Sequence, residues 1–185
     1  MRYFFAALIL TLSGCRQGAT SLETGKLTLE ADSVATVAQN TLLKNVAGAI
    51  GRGGPEYAVD FCNTRALTLT DSIARGSHWN ISRISDRNRN PLNAVRPEDQ
   101  EVFNQFKGKS TLMDTLVATQ DKVVYYKRIN IGMPTCLMCH GNPQTDIAPT
   151  TLDAIWLRYP PDRATGYKLR DLRGLWKLTL KNPEP

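Results

Sequence analysis

The 185-residue chain has only two histidines and four cysteines, and its apolar stretches are short. No run reaches the roughly 18 apolar residues that a membrane-spanning helix needs, which excludes a polytopic membrane protein. With 13 glycines and 10 prolines, scattered rather than periodic, the composition excludes collagen, coiled-coil rods and bulk disorder. Excess charge is slight: 23 Lys and Arg face 17 Asp and Glu, for a net charge of +6. The basic residues are spread out, in short clusters such as Arg83, Arg87 and Arg89 that read as a solvated face. A nucleic-acid surface needs a denser basic stripe with interleaved aromatics, and none is present. What the chain does have, 42% hydrophobic and 22% charged residues, suits one domain with a core that needs no disulfide staples.

Residues 1–14 read as an export signal, with Arg2 as the positive end, an apolar stretch from Phe4 to Leu12, and small residues at Ser13-Gly14. Leu12-Ser13-Gly14-Cys15 resembles a bacterial lipobox. In such a site the cysteine thiol takes a diacylglycerol and becomes the first mature residue. Acyl chains bury methylenes at about 0.8 kcal/mol each, so several chains anchor stably. Arg16, rather than Asp, follows the cysteine. By resemblance to Gram-negative lipoproteins, this implies the periplasmic side of the outer membrane. Residues 15–30 are polar and read as a tether; residues 31–182 form the domain.

Three cysteines remain: Cys62, Cys136 and Cys139. Cys136-Leu137-Met138-Cys139-His140 has the spacing of c-type haem attachment. Two thiols three positions apart can add to neighbouring vinyl groups of one porphyrin, and the next imidazole then reaches the iron. The terminal histidine and the lack of a second Cys/His pair argue against zinc or a redox dithiol. Pro134 and Gly141-Asn142-Pro143 bracket the motif and predict a loop or short turn. Export agrees, since haem c is attached outside the cytoplasmic membrane. One covalent haem c is therefore expected, and its anionic propionates, or an acidic redox partner, would be a natural use for the basic residues. Cys62 is left as an odd thiol.

Apolar residues recur at three and four over 31–51 and again over 55–75, predicting two helices separated by Gly51-Arg52-Gly53-Gly54. Residues 79–85 alternate as a strand, 86–97 read as a loop and 98–107 as a short helix. A hairpin is predicted from 111–118 and 122–130 around Gln120-Asp121, then a short helix near 151–158 and a last strand near 174–180. This order predicts an α+β fold, an antiparallel sheet with helices packed on one side.

The last 45 residues hold no Met, His or Cys, so any ligand opposite His140 comes from upstream. Cys62, His78, Met113 and Met133 are the candidates. His78 stands at a helix end, where histidine commonly caps or faces solvent. Met113 falls in a strand, and Met133 is tied closely to the motif. Cys62 lies on an apolar helix face, where a lone cysteine is commonly an inert core residue.

The chain resembles a bacterial family of c-type haem proteins with a PAS-like fold, over roughly residues 31–180. The resemblance rests on Cys62 with Ala66, Arg83 with Ser85, Arg89-Asn90-Pro91-Leu92-Asn93, and Cys136-Leu137-Met138-Cys139-His140-Gly141. Tyr159-Pro160, Ala164-Thr165-Gly166-Tyr167 and Asp171-Leu172-Arg173-Gly174 extend it. It implies a PAS-like antiparallel sheet and Cys62 as an axial thiolate opposite His140. There are two departures: Pro97 comes later than the family's usual proline, and Arg170 stands where a glycine is common. A thiolate stabilises ferric iron, so a low potential is expected.

Three functions compete. A haem-based redox or gas sensor would pass changes at Cys62 to its helix. It would need a diatomic gas or a redox change as input and, with no transmitter before Pro185, a separate signalling partner. A lipid-anchored periplasmic carrier would need only a redox partner. An enzyme is disfavoured, because two strong axial ligands leave no resting substrate site and no paired acid–base residues flank the motif. The lipobox generates one prediction. Cys15→Ala should release the protein from membranes or leave the precursor uncut, as read by fractionation and N-terminal sequencing; a mature N-terminus elsewhere would overturn it.

Overall fold

A computed structural model describes residues 21–119 and 121–181 of the chain. The export signal, Cys15 and the hairpin residue Gln120 lie outside the described residues. A long helix, α1 (Ser21–Arg75), leads into strand β1 (Trp79–Ile84) and then single 3₁₀ turns at Pro91–Asn93 and Pro97–Asp99. Helix α2 (Gln100–Gly108), strands β2 (Asp114–Ala118) and β3 (Val123–Asn130), helices α3 (Pro134–His140) and α4 (Pro149–Arg158), and strand β4 (Leu172–Leu180) follow. The four strands form one antiparallel sheet in the order β1-β4-β3-β2. This is the expected α+β arrangement, a PAS-like antiparallel sheet behind N-terminal helices.

α1 is two helical arms rather than one rod. Gly53 and Gly54 leave helical geometry and Pro55 restarts it. Gly54 has φ of +75°, a left-handed conformation that costs a residue with a Cβ about 1–2 kcal/mol. The two predicted helices are thus present, but the first begins at Ser21. Residues 21–30, read as tether from their polar composition, are its opening turns. The reason is packing, since Leu27 already rests on the core into which Ala31, Ala35 and Ala38 are fully sunk. These small residues let the first arm lie close against Trp79, Tyr125, Trp176 and Leu178 of the sheet.

Helices on one side only was the expectation, and the sheet is in fact covered on both. Val124, Tyr125 and Tyr126 are consecutive and all buried, so β3 carries apolar side chains to both faces. Tyr125 meets α1, while Val124 and Tyr126 join Ile84, Leu175 and the α2 residues Phe103 and Phe106. Asp99 is buried beside this second cluster, accepting hydrogen bonds from Tyr126 Oη and Lys177 Nζ at 2.7 Å each.

The second arm of α1 packs on α4, joining Val59 to Leu152, Ile155 and Tyr159, and its end returns to the sheet core through Ile73 and Ala74. A register shift between Ile129 and Asn130 ends β3. The chain beyond it is held by Ile131, whose N–H donates to the Asp171 carbonyl at 3.0 Å and whose carbonyl accepts from the Arg170 N–H at 2.8 Å. Arg170 occupies φ of +74° there. A side chain at that φ carries strain that glycine does not, which is a physical reason for glycine at this position in the resembling family. Arg170→Gly should therefore raise stability by about 1 kcal/mol; urea denaturation checks it, and a destabilised variant would refute the strain.

Candidate functional site

Between the bend of α1, the ends of β1 and β4, and helix α3 lies a cavity of about 380 Å³. Cys62, Cys136, Cys139 and His140 all line it, and none of these three cysteines forms a disulfide. Leu42, Val46 and Ile50 from the first arm, Val59 from the second, and Ile131 and Trp176 from the sheet side supply apolar wall.

The cysteine motif is helical, which corrects the predicted loop or turn. Pro134 opens α3 rather than breaking it, because a proline at the first helical position gives up an N–H that has no partner anyway. Gly141 closes it. A Cβ there would come within 2.5 Å of Asp146 Cβ and 2.7 Å of the Leu137 carbonyl, so a larger residue would force the helix end apart. One turn of helix then carries Cys136, Cys139 and His140 to the same wall.

His140 is held by a backbone group. Its Nδ1 lies 2.8 Å from the Ala164 carbonyl. A carbonyl only accepts, so Nδ1 carries the hydrogen and Nε2 keeps its lone pair. Burial first, then the charges of Arg173 and Arg89, hold the imidazole well below its usual range, which keeps it neutral near pH 7. The Tyr167 ring stands edge-on to it, 6.2 Å between centroids at 89°. Burial pushes the Cys62 thiol up, and Arg83 and Arg89 pull it back toward ionisation; burial raises the Cys139 thiol likewise.

The other candidate ligands lie elsewhere or at the margin. His78 has a side chain 85% exposed, and its Nδ1 lies 3.2 Å from Glu30 Oε1 at the surface. Met113 is exposed and takes no part in the cavity wall. Met133 lines the cavity but is exposed at its mouth, immediately before α3.

The arginine cluster read as a solvated face points inward. Arg83, Arg89 and Arg173 line the cavity, and Arg87 stacks 3.9 Å over the Tyr167 ring. Alternation explains this in part: Arg83 shares a face of β1 with the buried Trp79 and Ile81. Arg89 Nε donates to Asp162 Oδ1 at 2.9 Å, and its Nη2 donates to the Cys139 carbonyl at 2.6 Å. Sequence reasoning gave no role to Asp162 or the Ala164 carbonyl. Backbone acceptors leave no trace in side-chain pattern, and only the resemblance segment beginning at Ala164 pointed near them.

The donor set fits a haem: two thiols and a neutral imidazole on one helical turn, a third thiol in the same cavity, apolar walls and guanidinium groups. Fold and site together define a cavity protein of α+β type built around a Cys-x-x-Cys-His helix. The profile of the Tll0287-like family matches residues 18–180, and the chain belongs to that family. It is similar to a solved structure described as the crystal structure of the cyanobacterial heme-protein Tll0287. The two are 25% identical with a TM-score of 0.63, over 90% of this chain and 99% of that one. Among curated proteins none matches the chain.

The Arg89–Asp162 pair generates a prediction. The two side chains are 11% and 3% exposed, so removing one partner strands a buried charge. Asp162→Ala should cost about 3–5 kcal/mol in urea denaturation, and Arg89→Met with Asp162→Leu should return part of it. A loss below about 1 kcal/mol, the range of surface pairs, would show that the pair does not hold the site.

Proposed function

We propose that the chain is an exported, lipid-anchored mono-haem c-type cytochrome that serves as a redox or gas sensor, with His140 and Cys62 as axial ligands. One observation carries it: Cys136, Cys139, His140 and Cys62 share a single cavity, with the imidazole neutral and its Nε2 free. The likeness to a cyanobacterial heme-protein supports a haem cofactor here.

Bound there, haem supplies a one-electron iron couple and a coordination position for a small ligand. The protein's own residues do the rest. Cys136 and Cys139 would hold the group covalently, each S–H adding across a vinyl double bond to give a thioether without net oxidation. His140 would hold the iron through the Nε2 lone pair, and the Ala164 carbonyl fixes the tautomer that makes it available. Cys62 would hold the iron as a thiolate, and as a protonated thiol it would leave that position to a small ligand. Cys62 stands eight residues beyond the bend at Gly54 on the arm that packs on α4, and this favours a sensor that converts ligation into movement of that arm. Cys15 would carry the anchor and hold the domain on the periplasmic side of the outer membrane. The signal would pass to a separate partner.

A second reading, a low-potential electron carrier, is favoured by the cavity mouth. Gly132, Met133 and Thr135 line it and are exposed, so a partner can approach there.

Acid–acetone extraction should leave pigment on the protein, and Cys136→Ser with Cys139→Ser should be colourless; haem in the organic phase overturns covalent attachment. Electron paramagnetic resonance of the ferric protein should give a low-spin thiolate signal. That signal should vanish in Cys62→Ser, which keeps its pigment, and survive in His78→Ala; the reverse would show that the wrong ligand is assigned. The reduced protein should bind CO, whereas a spectrum unchanged by CO would favour the carrier over the sensor.

A further inference from the structure

The three cavity arginines are not equivalent. Arg89 is spent on Asp162 and on the Cys139 carbonyl. Arg83 has no hydrogen bond and no ion pair among the described residues; its guanidinium lies 5.7 Å from the centroid of the Trp176 ring. Arg173 gives Nη1 to Ser85 Oγ at 3.1 Å and to the Arg87 carbonyl at 3.3 Å and lies 5.5 Å over Tyr167, but no carboxylate meets it. The one buried carboxylate beside them, Asp162, is taken by Arg89. Two cations set in a largely apolar wall with no carboxylate paired to them are unfavourable unless something anionic completes them.

The two also stand together. Arg83 pairs with Trp176 across the β1–β4 ladder, which ends one step on at Ile84 and Leu175. Arg173 reaches Ser85, the residue after that step. Both guanidinium groups therefore stand at the same end of two adjacent strands. An anion with two carboxylates along one edge would satisfy both. A planar guanidinium fork suits a carboxylate better than any other small anion except phosphate.

We propose that Arg83 and Arg173 are the seats of the two haem propionates, one guanidinium to each carboxylate, while Arg89 serves the protein alone. This rests on the haem reading above. It divides the cavity: α3 holds the vinyl edge through Cys136 and Cys139, and the β1–β4 end holds the acidic edge. The arginines would then set the orientation of the ring as well as its charge.

The test uses the full pigmented protein, with haem carrying ¹³C in the propionate carboxylates. Redox-difference infrared spectra and midpoint potentials would be recorded for Arg83→Gln, Arg173→Gln and the Lys variant at each position. Each Gln variant should shift the labelled carboxylate bands. Each should also lower the potential, since losing a nearby positive charge favours ferric iron. The Lys variants should restore most of the potential, with a smaller band shift, because a point charge replaces a fork. If a Gln variant does not accumulate, its Lys counterpart carries the same band readout. Pigmented variants whose labelled bands match those of the unaltered protein would overturn the proposal alone. For Arg83 that result would mean service to the Cys62 thiolate instead. An unaltered protein without pigment would overturn the haem reading and this proposal with it.

Discussion

The Arg89 guanidinium reaches three groups in two segments at once: Asp162 and, at 3.4 Å, the Ala164 carbonyl that also receives His140 Nδ1, both in the loop after α4, and the Cys139 carbonyl in α3. The loop and α3 are also tied by two backbone hydrogen bonds, from the Gly166 N–H to the Gly141 carbonyl and from the Tyr167 N–H to the His140 carbonyl. A buried cation at the centre is tolerable because Asp162 neutralises it, and its remaining hydrogens hold backbone acceptors that would otherwise face a cavity. The orientation of His140 is thus a consequence of a charge pair more than twenty residues away in sequence on one side and fifty on the other. Weakening that pair would loosen the imidazole without touching it.

Two apolar clusters, one on each face of the sheet, make the domain stable, and the first shares Trp176 and Leu42 with the cavity wall. On one face, the first arm of α1 lies against Trp79, Tyr125 and Trp176 and is fastened by Asp32, which accepts from Tyr125 Oη at 2.7 Å and from Lys127 Nζ at 2.6 Å. On the other, Phe103 and Phe106 close a second cluster above the Asp99 network. The cavity opens only where the sheet ends and β3 shifts register. It can be lined with arginines and thiols because the two flanking clusters carry the apolar burial that the cavity lacks.

Much of this was legible in the residues. The Cys-x-x-Cys-His spacing located α3's chemistry, helical periodicity found both arms of α1, and Gly53-Gly54-Pro55 marked the bend. What escaped had physical causes. Residues 21–30 read as a tether because helix formation there depends on tertiary contact with the sheet rather than on local pattern. The arginines read as solvent-facing because composition carries no direction. Only their place on β1 and at the start of β4, together with a cavity that no single segment encloses, turns them inward. α2's covering of the second face was foreshadowed by three consecutive apolar residues in β3, which alternation alone does not explain.

The bend in α1 has a mechanical consequence. At 1.5 Å per residue, Cys62 lies roughly 12 Å from Gly54 and Arg75 roughly 32 Å from it. The thiol thus sits on the near half of an arm whose far end is seated on the sheet core through Ile73 and Ala74 and is tied by Lys181 Nζ to the Ala74 carbonyl at 2.8 Å. That end runs through Gly76 and Ser77 directly into β1, an outer strand of the sheet. One continuous helical arm therefore connects the cavity thiol to the start of an edge strand, so the cavity and the sheet margin share a single piece of secondary structure.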